Sequence, residues 1–253
     1  MRGFQVFVLI LSVQVFTGCG SREDLTAVPS NPDGHIPILL FNGRGTSPGD
    51  VSATKTVLSN AHLGFVTVNS SQLNNMSEAQ LREYRLLIVP GGNFIKIGDG
   101  LSSNTMTTVR AAVSNGMNYL GICAGAFVAS DSGFNSLNLT SGVRFKFYAA
   151  EERGIRKTAV PIATPGGPTL DQYWEDGPQL SGWGTAVARY PDSTPAVVQG
   201  TYGSGCVILS GIHPEAPASW RRGMNFTTPA DVDNEYARTL VEAALNRTSL
   251  PHY

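Results

Sequence analysis

The chain has 253 residues, of which 42% are hydrophobic and 15% charged, and a formal net charge of −1. That length and apolar content can fill a sizeable buried core. The even charge balance, with no Lys/Arg stripe, excludes an electrostatic nucleic-acid binder, and three cysteines are too few for a disulfide scaffold.

The first 19 residues, MRGFQVFVLILSVQVFTGC, carry one early cation at Arg2, an apolar run from Phe4 to Phe16, then small residues before Cys19. The run is short for a membrane span, and this pattern is that of an export signal. Small residues directly before a cysteine resemble a bacterial lipobox, which implies lipid on Cys19; an ordinary cleaved signal is the alternative. Residues 20–34 are polar, hold Pro29 and Pro32, and read as a flexible tether. The expected location is outside the cytoplasm, as a cell-envelope lipoprotein held to the membrane by its lipid, or else as a secreted protein. Residues 35–253 are expected to form one domain.

Ile36 to Asn42 is a continuous apolar run, expected as a strand buried on both faces. Ser47-Pro48 supplies an N-cap and first-turn proline for a helix reaching about Asn60. A strand at Phe65–Asn69, a short helix from Ser77 to Tyr84 and a buried strand at Arg85–Pro90 follow. A helix over about Ser103–Ser114 precedes a strand at Asn118–Ile122 and a helix at Ala124–Ser130. Strands alternating with helices at this spacing predict a mostly parallel sheet covered on both faces. Beyond residue 140, VRFKFYAA, KTAVPIAT, TAVARYP, PAVVQGTYG and CVILSGIHPE are short runs between Gly/Pro turns. They read as antiparallel strands, either extending the sheet or forming a β-rich flap. A final amphipathic helix is expected at Asn234–Leu245, with Tyr236, Leu240, Val241 and Leu245 inward.

Within NYLGICAGAFVAS (118–130), Cys123 falls at the turn from strand to helix. A nucleophile elbow strains its central residue and demands small neighbours, which Gly121, Ala124 and Gly125 provide. At a helix N-terminus the peptide dipoles favour thiolate. The competing reading is a buried cysteine acting as a small hydrophobe. Of four histidines, His35, His62 and His252 lie in tether, turn and tail, and none has metal-ligand spacing, so neither metal nor cofactor is expected. His213 ends an apolar strand, and Glu215 two residues later can reach back to fix its tautomer. A histidine simply capping a strand is the plainer alternative. Gly91 and Gly92 in PGGN, with the Ala124 amide, can supply N–H groups to a developing oxyanion, although Gly-Gly after a strand is often just a turn. Arg44, in the turn after the first strand, either clamps a substrate or is a solvated turn residue. Tyr173, Trp174 and Trp183 either line a pocket or belong to the core.

NGRGTSPGD, LLIVPGGN, YLGICAGAF and GSGCVILSGIHPE, in that order, resemble the biotin–protein ligase N-terminal domain family, within the class I glutamine amidotransferase-like superfamily. The resemblance spans about Ile36 to Glu215. It implies an α/β fold, a flavodoxin-like three-layer sandwich with a mostly parallel central sheet and a β-rich antiparallel extension. It also implies Cys123 as nucleophile, His213 as base and Glu215 as its orienting carboxylate. Phe127 stands where glutamine amidotransferases usually carry a Gln that helps to hold glutamine, so glutaminase activity is not expected. The short tail after Glu215 holds no biotin ligase catalytic domain. The expected activity is hydrolysis of an amide in a small molecule or peptide, with Arg44, Asn93, Phe127 and Tyr173 as candidate substrate contacts. A non-catalytic module that keeps the cleft for a ligand or partner is the alternative.

Overall fold

The computed structural model describes residues 37–149 and 153–253. The expected signal, tether, Cys19 and His35 lie outside them. Successive side chains of a strand point to opposite faces, so an unbroken apolar run feeds two cores at once. β1 (Ile38–Phe41) does so: Ile38 and Leu40 enter one core, Leu39 and Phe41 the other. β3 (Leu86–Val89) and β4 (Asn118–Ile122) divide in the same way. With β2 (Phe65–Val68), β9 (Thr185–Arg189), β10 (Pro195–Tyr202) and β11 (Gly205–Ser210) they form a seven-stranded sheet in the order β2-β1-β3-β4-β11-β10-β9. The first five in that order are parallel; β10 and β9 extend the sheet antiparallel. The three-layer sandwich and its antiparallel extension are as the motifs implied.

One face is covered by α1 (Pro48–Asn60) and α7 (Ala230–Asn246), through Val51, Leu58, Leu240, Val241 and Leu245. The other is covered by α5 (Ser103–Ser114) and α6 (Ala124–Ala129), through Met106, Val109, Ala126 and Val128. The Ser47 side chain caps α1, as read from Ser47-Pro48, by accepting from the Asp50 N–H. That cap seats Asp50 in the first turn of the helix.

Some elements depart from the sequence expectations. β11 is antiparallel to β10, as expected of the late strands, but its other edge pairs parallel with β4, with Leu209 opposite Gly121, which was not foreseen. Its residues are all buried, which fits a strand covered on both faces better than an alternating one. VRFKFYAA yields only β5 (Lys146–Phe147), which pairs with β8 (Pro178–Gln179). β6 (Lys157–Ile162) and the unexpected β7 (Leu170–Glu175) form a hairpin separate from the main sheet. Three short helices lie between β2 and α5: α2 (Ser70–Asn74), α3 (Glu78–Leu81) and α4 (Phe94–Gly100). Only α3 was expected. α2 and α4 are each a turn or two long, too short for hydrophobic periodicity, although Asn69 with Gln72 forms a capping box for α2. α7 starts at Ala230, before the expected Asn234, because Asp233 is held in its first turn by Gln172 and Arg221. Among the described residues no helix is long and apolar enough to cross a membrane.

Candidate active site

Cys123 follows β4 and sits at φ 50°, ψ −104°, a backbone conformation that L-residues rarely adopt. The fold forces it. A Cβ at Gly125 would fall 1.9 Å from the Val89 carbonyl oxygen, and one at Gly121 would fall 2.6 Å from the Gly125 oxygen. The buried Tyr119 hydroxyl donates to that same Gly125 oxygen at 2.8 Å, tying β4 to α6. Strand and helix therefore meet in direct backbone contact, and the turn between them has room only for small residues. The Cys123 N–H donates to Ser210 O at 2.7 Å, which registers the elbow against the end of β11.

Past that end, Ser210 and Ile212 make a tight turn through the Ser210 hydroxyl, and His213 follows. The His213 N–H donates to Tyr173 O at 2.8 Å, bridging the histidine to the separate hairpin. Its side chain is buried, and Nδ1 meets two carboxylates: Glu215 Oε1 at 2.9 Å and Asp50 Oδ1 at 3.1 Å. Cys123 lines the same cavity; its sulfur hydrogen-bonds the Glu175 carbonyl oxygen at 3.5 Å and acts electrostatically on the His213 ring.

Both carboxylates are buried, Asp50 to 6% and Glu215 to 2% exposure. Burial alone would push the His213 imidazole down. The charges of Cys123 and Glu215, with the close approach of Asp50 and Cys123, instead raise it well above the usual histidine range. Burial likewise raises Asp50, yet its close approach and attraction to His213, helped by Ser47, hold it below the ordinary aspartate value. Glu215 is pushed up, by burial first and by the Asp50 charge as well, against the opposing pull of His213. Its Oε2 has no hydrogen-bond partner among the described residues. The two carboxylates thus differ, Asp50 favouring the ionised form and Glu215 resisting it.

Asp50, His213 and Glu215 also place ligand atoms within 4.8 Å of one another, close enough for a metal ion. The same approach suits a histidine held by Glu215 through a hydrogen bond and by Asp50 through charge, since Asp50 Oδ1 has no hydrogen-bond partner among the described residues. Asp50 was missed in the sequence because nothing marks an aspartate in a capped first turn as a partner for a residue so distant in the chain. Its one signal is position, at the carboxyl end of a parallel strand's connection, where α/β sheets gather their sites.

Cys123, Ala124, Gly92, His213 and Asp50 line a cavity of about 470 Å³. Gly92 has φ 142°, and a Cβ there would meet the Gly45 carbonyl oxygen at 2.2 Å, so the turn requires glycine. Among the described residues the Gly92 and Ala124 N–H groups have no acceptor. Gly91 does not line the cavity and serves as clearance, since a Cβ there would fall 2.0 Å from Asp50 Oδ1 and 2.6 Å from His213 Cε1. Phe127 lines it, stacked on Phe94 with ring centroids 4.7 Å apart. Asn93 also lines it, but its Oδ1 caps α4 by accepting from Lys96 N. Tyr173 borders a neighbouring depression and donates its hydroxyl to Glu175 Oε2 at 2.5 Å. Arg44 is not brought to the cavity: it is exposed, its N–H held by Ser70 Oγ and its side chain over Gly100. Trp174 is fully buried core and Trp183 packs over Gly200, so neither is a wall of this cavity. Cys206 and Cys123 are both free, at opposite ends of the parallel pair β11 and β4, and are not bridged.

Comparison with known proteins sets this geometry in context. Residues 36–155 match the model of the family described as biotin-protein ligase, N terminal. That stretch contains the elbow and the Gly-Gly turn, as the motifs implied, and stops short of His213 and Glu215. No curated protein matches the chain. Among solved structures, a glutamine amidotransferase is 21% identical, covering 70% of this chain and 90% of its own, with a TM-score of 0.52. PurLQS from Thermotoga maritima is 15% identical over 82% of this chain and 98% of its own, at 0.56. An exo-beta-1,4-mannosidase from Opitutaceae bacterium strain TAV5 contains the same fold in 36% of its length, at 16% identity over 83% of this chain and a TM-score of 0.52. The fold is therefore class I glutamine amidotransferase-like. That it also occurs within a glycosidase shows that function has to be argued from the site.

Proposed function

We propose that the protein hydrolyses an amide bond of a small molecule or peptide with Cys123 as nucleophile and His213 as its base. The observation that carries the reading is the strained elbow facing an imidazole whose other nitrogen is held by buried carboxylates. The Cys123 sulfur adds to the amide carbonyl, and the proton it gives up passes to His213 Nε2. The oxyanion is met by the Gly92 and Ala124 N–H groups. The C–N bond then breaks, the amine leaves with the proton returned by His213, and water cleaves the thioester to release acid and thiol. Asp50 and Glu215 orient the imidazole and stabilise its positive form. Asn93 and Phe127 are the substrate contacts that the cavity supports.

Alkylation by iodoacetamide tests the pairing, read by mass spectrometry at both described cysteines. Cys123 is expected to label at pH 6 at least about tenfold faster than in the His213→Ala variant, while Cys206, whose thiol burial pushes up, stays slow in both. Equal Cys123 rates in the two proteins would support the alternative reading, a binding module with an unassisted thiol.

Export with lipid on Cys19 remains part of this proposal and is supported by the N-terminal sequence. Radiolabelled palmitate fed to a bacterial host is expected to enter the chain and to be lost in Cys19→Ala; labelling of neither would leave a plain secretion signal.

A further inference from the structure

The cavity around Cys123 is divided chemically. One wall is a run of phenylalanines, Phe94 on Phe127 and Phe127 against Phe147, with centroids 4.7 and 5.0 Å apart. Phe147 remains 37% exposed, so the wall presents uncovered ring surface to whatever enters. Among the described residues no Lys or Arg lines this cavity, and each of its acids already has a partner: Asp50 with His213, Asp176 with Arg156, Glu175 with the Tyr173 hydroxyl. A charged group on that side of a substrate would find no counter-ion, whereas a ring would stack.

Beyond a rim formed by Ser47, Asp50 and Glu175 lies a second depression of about 400 Å³. Unlike the first it holds cationic side chains, beside the shared Asp50 and Glu175. Lys157 and Arg222 line it, both exposed, and no carboxylate is paired with either among the described residues. The Tyr173 and Trp220 rings flank His213 there, with centroids 5.8 and 6.0 Å from the imidazole.

The order of the two sides follows from the chemistry. The acyl carbon must sit at Cys123, beside the phenylalanine wall. The leaving amine must pass His213 to collect its proton, and so heads for the depression behind that ring. We infer that the preferred substrate is an N-acyl amino acid, an amide with a ring-bearing, uncharged acyl group and an amine portion that ends in a carboxylate. The inference rests on the reading of Cys123 as an amide-cleaving nucleophile and adds to it the identity of both flanks. The products are an arylalkyl carboxylic acid and a free amino acid.

Four amides test it, with amine release measured: 3-phenylpropionyl-glycine, 3-phenylpropionyl-glycinamide, acetyl-glycine and L-glutamine. The first is expected to exceed each of the others in kcat/KM by at least about tenfold. Phe127→Gln should shrink the phenylpropionyl-over-acetyl preference about tenfold and leave the glycine-over-glycinamide preference in place. Lys157→Glu combined with Arg222→Glu should reverse the latter and spare the former. Equal rates for the acyl pair, or glutamine as the best substrate, would overturn the substrate class while leaving an amide hydrolase. Turnover of none of the four overturns the substrate class as well. The alkylation contrast between wild type and His213→Ala then decides separately whether the Cys123–His213 pairing stands.

Discussion

Cys123→Gly and Cys123→Ala should both lose amide turnover to background, a fall of at least about 10⁴-fold, yet the glycine variant should be the more stable of the two by about 1 kcal/mol. At an ordinary site glycine is the poorer choice, because its unfolded chain has more freedom to lose. Here the backbone stands at φ 50°, ψ −104°, where any Cβ is strained and glycine is not. Relief of that strain, on the order of 1–3 kcal/mol, outweighs the entropy cost. Thermal or denaturant unfolding of the two variants, alongside wild type, measures the difference. An alanine variant equal to or more stable than the glycine one would mean that the elbow stores no strain, and the case for a nucleophile held there would fail.

The second large effect concerns the carboxylates on His213. Asp50→Asn and Glu215→Gln are each expected to lower kcat about a hundredfold, and the double variant to fall no further than His213→Ala. Such non-additivity is the signature of groups that act through one shared atom, and both lie near Nδ1. A merely structural role would not move the titration of the ring, so the His213 imidazole followed by NMR is the companion measurement. His213 has a raised folded pKa, so its contribution to stability is fully present below the ordinary histidine range and is lost as pH climbs through the folded value. Removing either carboxylate should lower that value and narrow the window from its alkaline side. An unchanged imidazole titration in both variants would exclude them as its partners. Wild-type turnover should also survive dialysis against EDTA; a loss restored by added metal would show that the same three residues hold a cation instead.

How much of this was legible in advance depended on whether a local pattern carried it. Ile38 to Phe41, Leu86 to Val89 and Asn118 to Ile122 announce buried parallel strands because each element's own residues encode its two-faced burial. Gly121 and Gly125 announce the elbow because steric exclusion leaves a compositional trace in the elbow's own neighbours. His213 and Glu215 could be read together because two residues of extended chain bring them within reach. Asp50 could not: it meets His213 only after α1 packs beside the end of β11, and a contact made by tertiary packing has no spacing to betray it. The parallel pairing of β11 with β4 was missed for a related reason. A short apolar run does not state which neighbour it will pair with, and only its unrelieved burial against β4 settles that it lies parallel. Arg44 shows the converse. Its place in the chain suggested a ligand contact, but the hydrogen bond from its N–H to Ser70 turns the loop outward.

The bridge between His213 and Tyr173 bears on how the protein becomes competent. The residue that would accept the proton is strung between the end of β11 and the β6–β7 hairpin, which lies outside the main sheet and touches it through isolated bridges. Cys123 is placed by β4 and α6 against β3 and the end of β11, whereas the imidazole also needs the hairpin, and Asp50 comes from the opposite end of the sequence. Assembly of the centre therefore depends on contacts between elements far apart in the chain. Where the hairpin has not docked, the backbone bond from His213 to Tyr173 that sets the ring in place is missing.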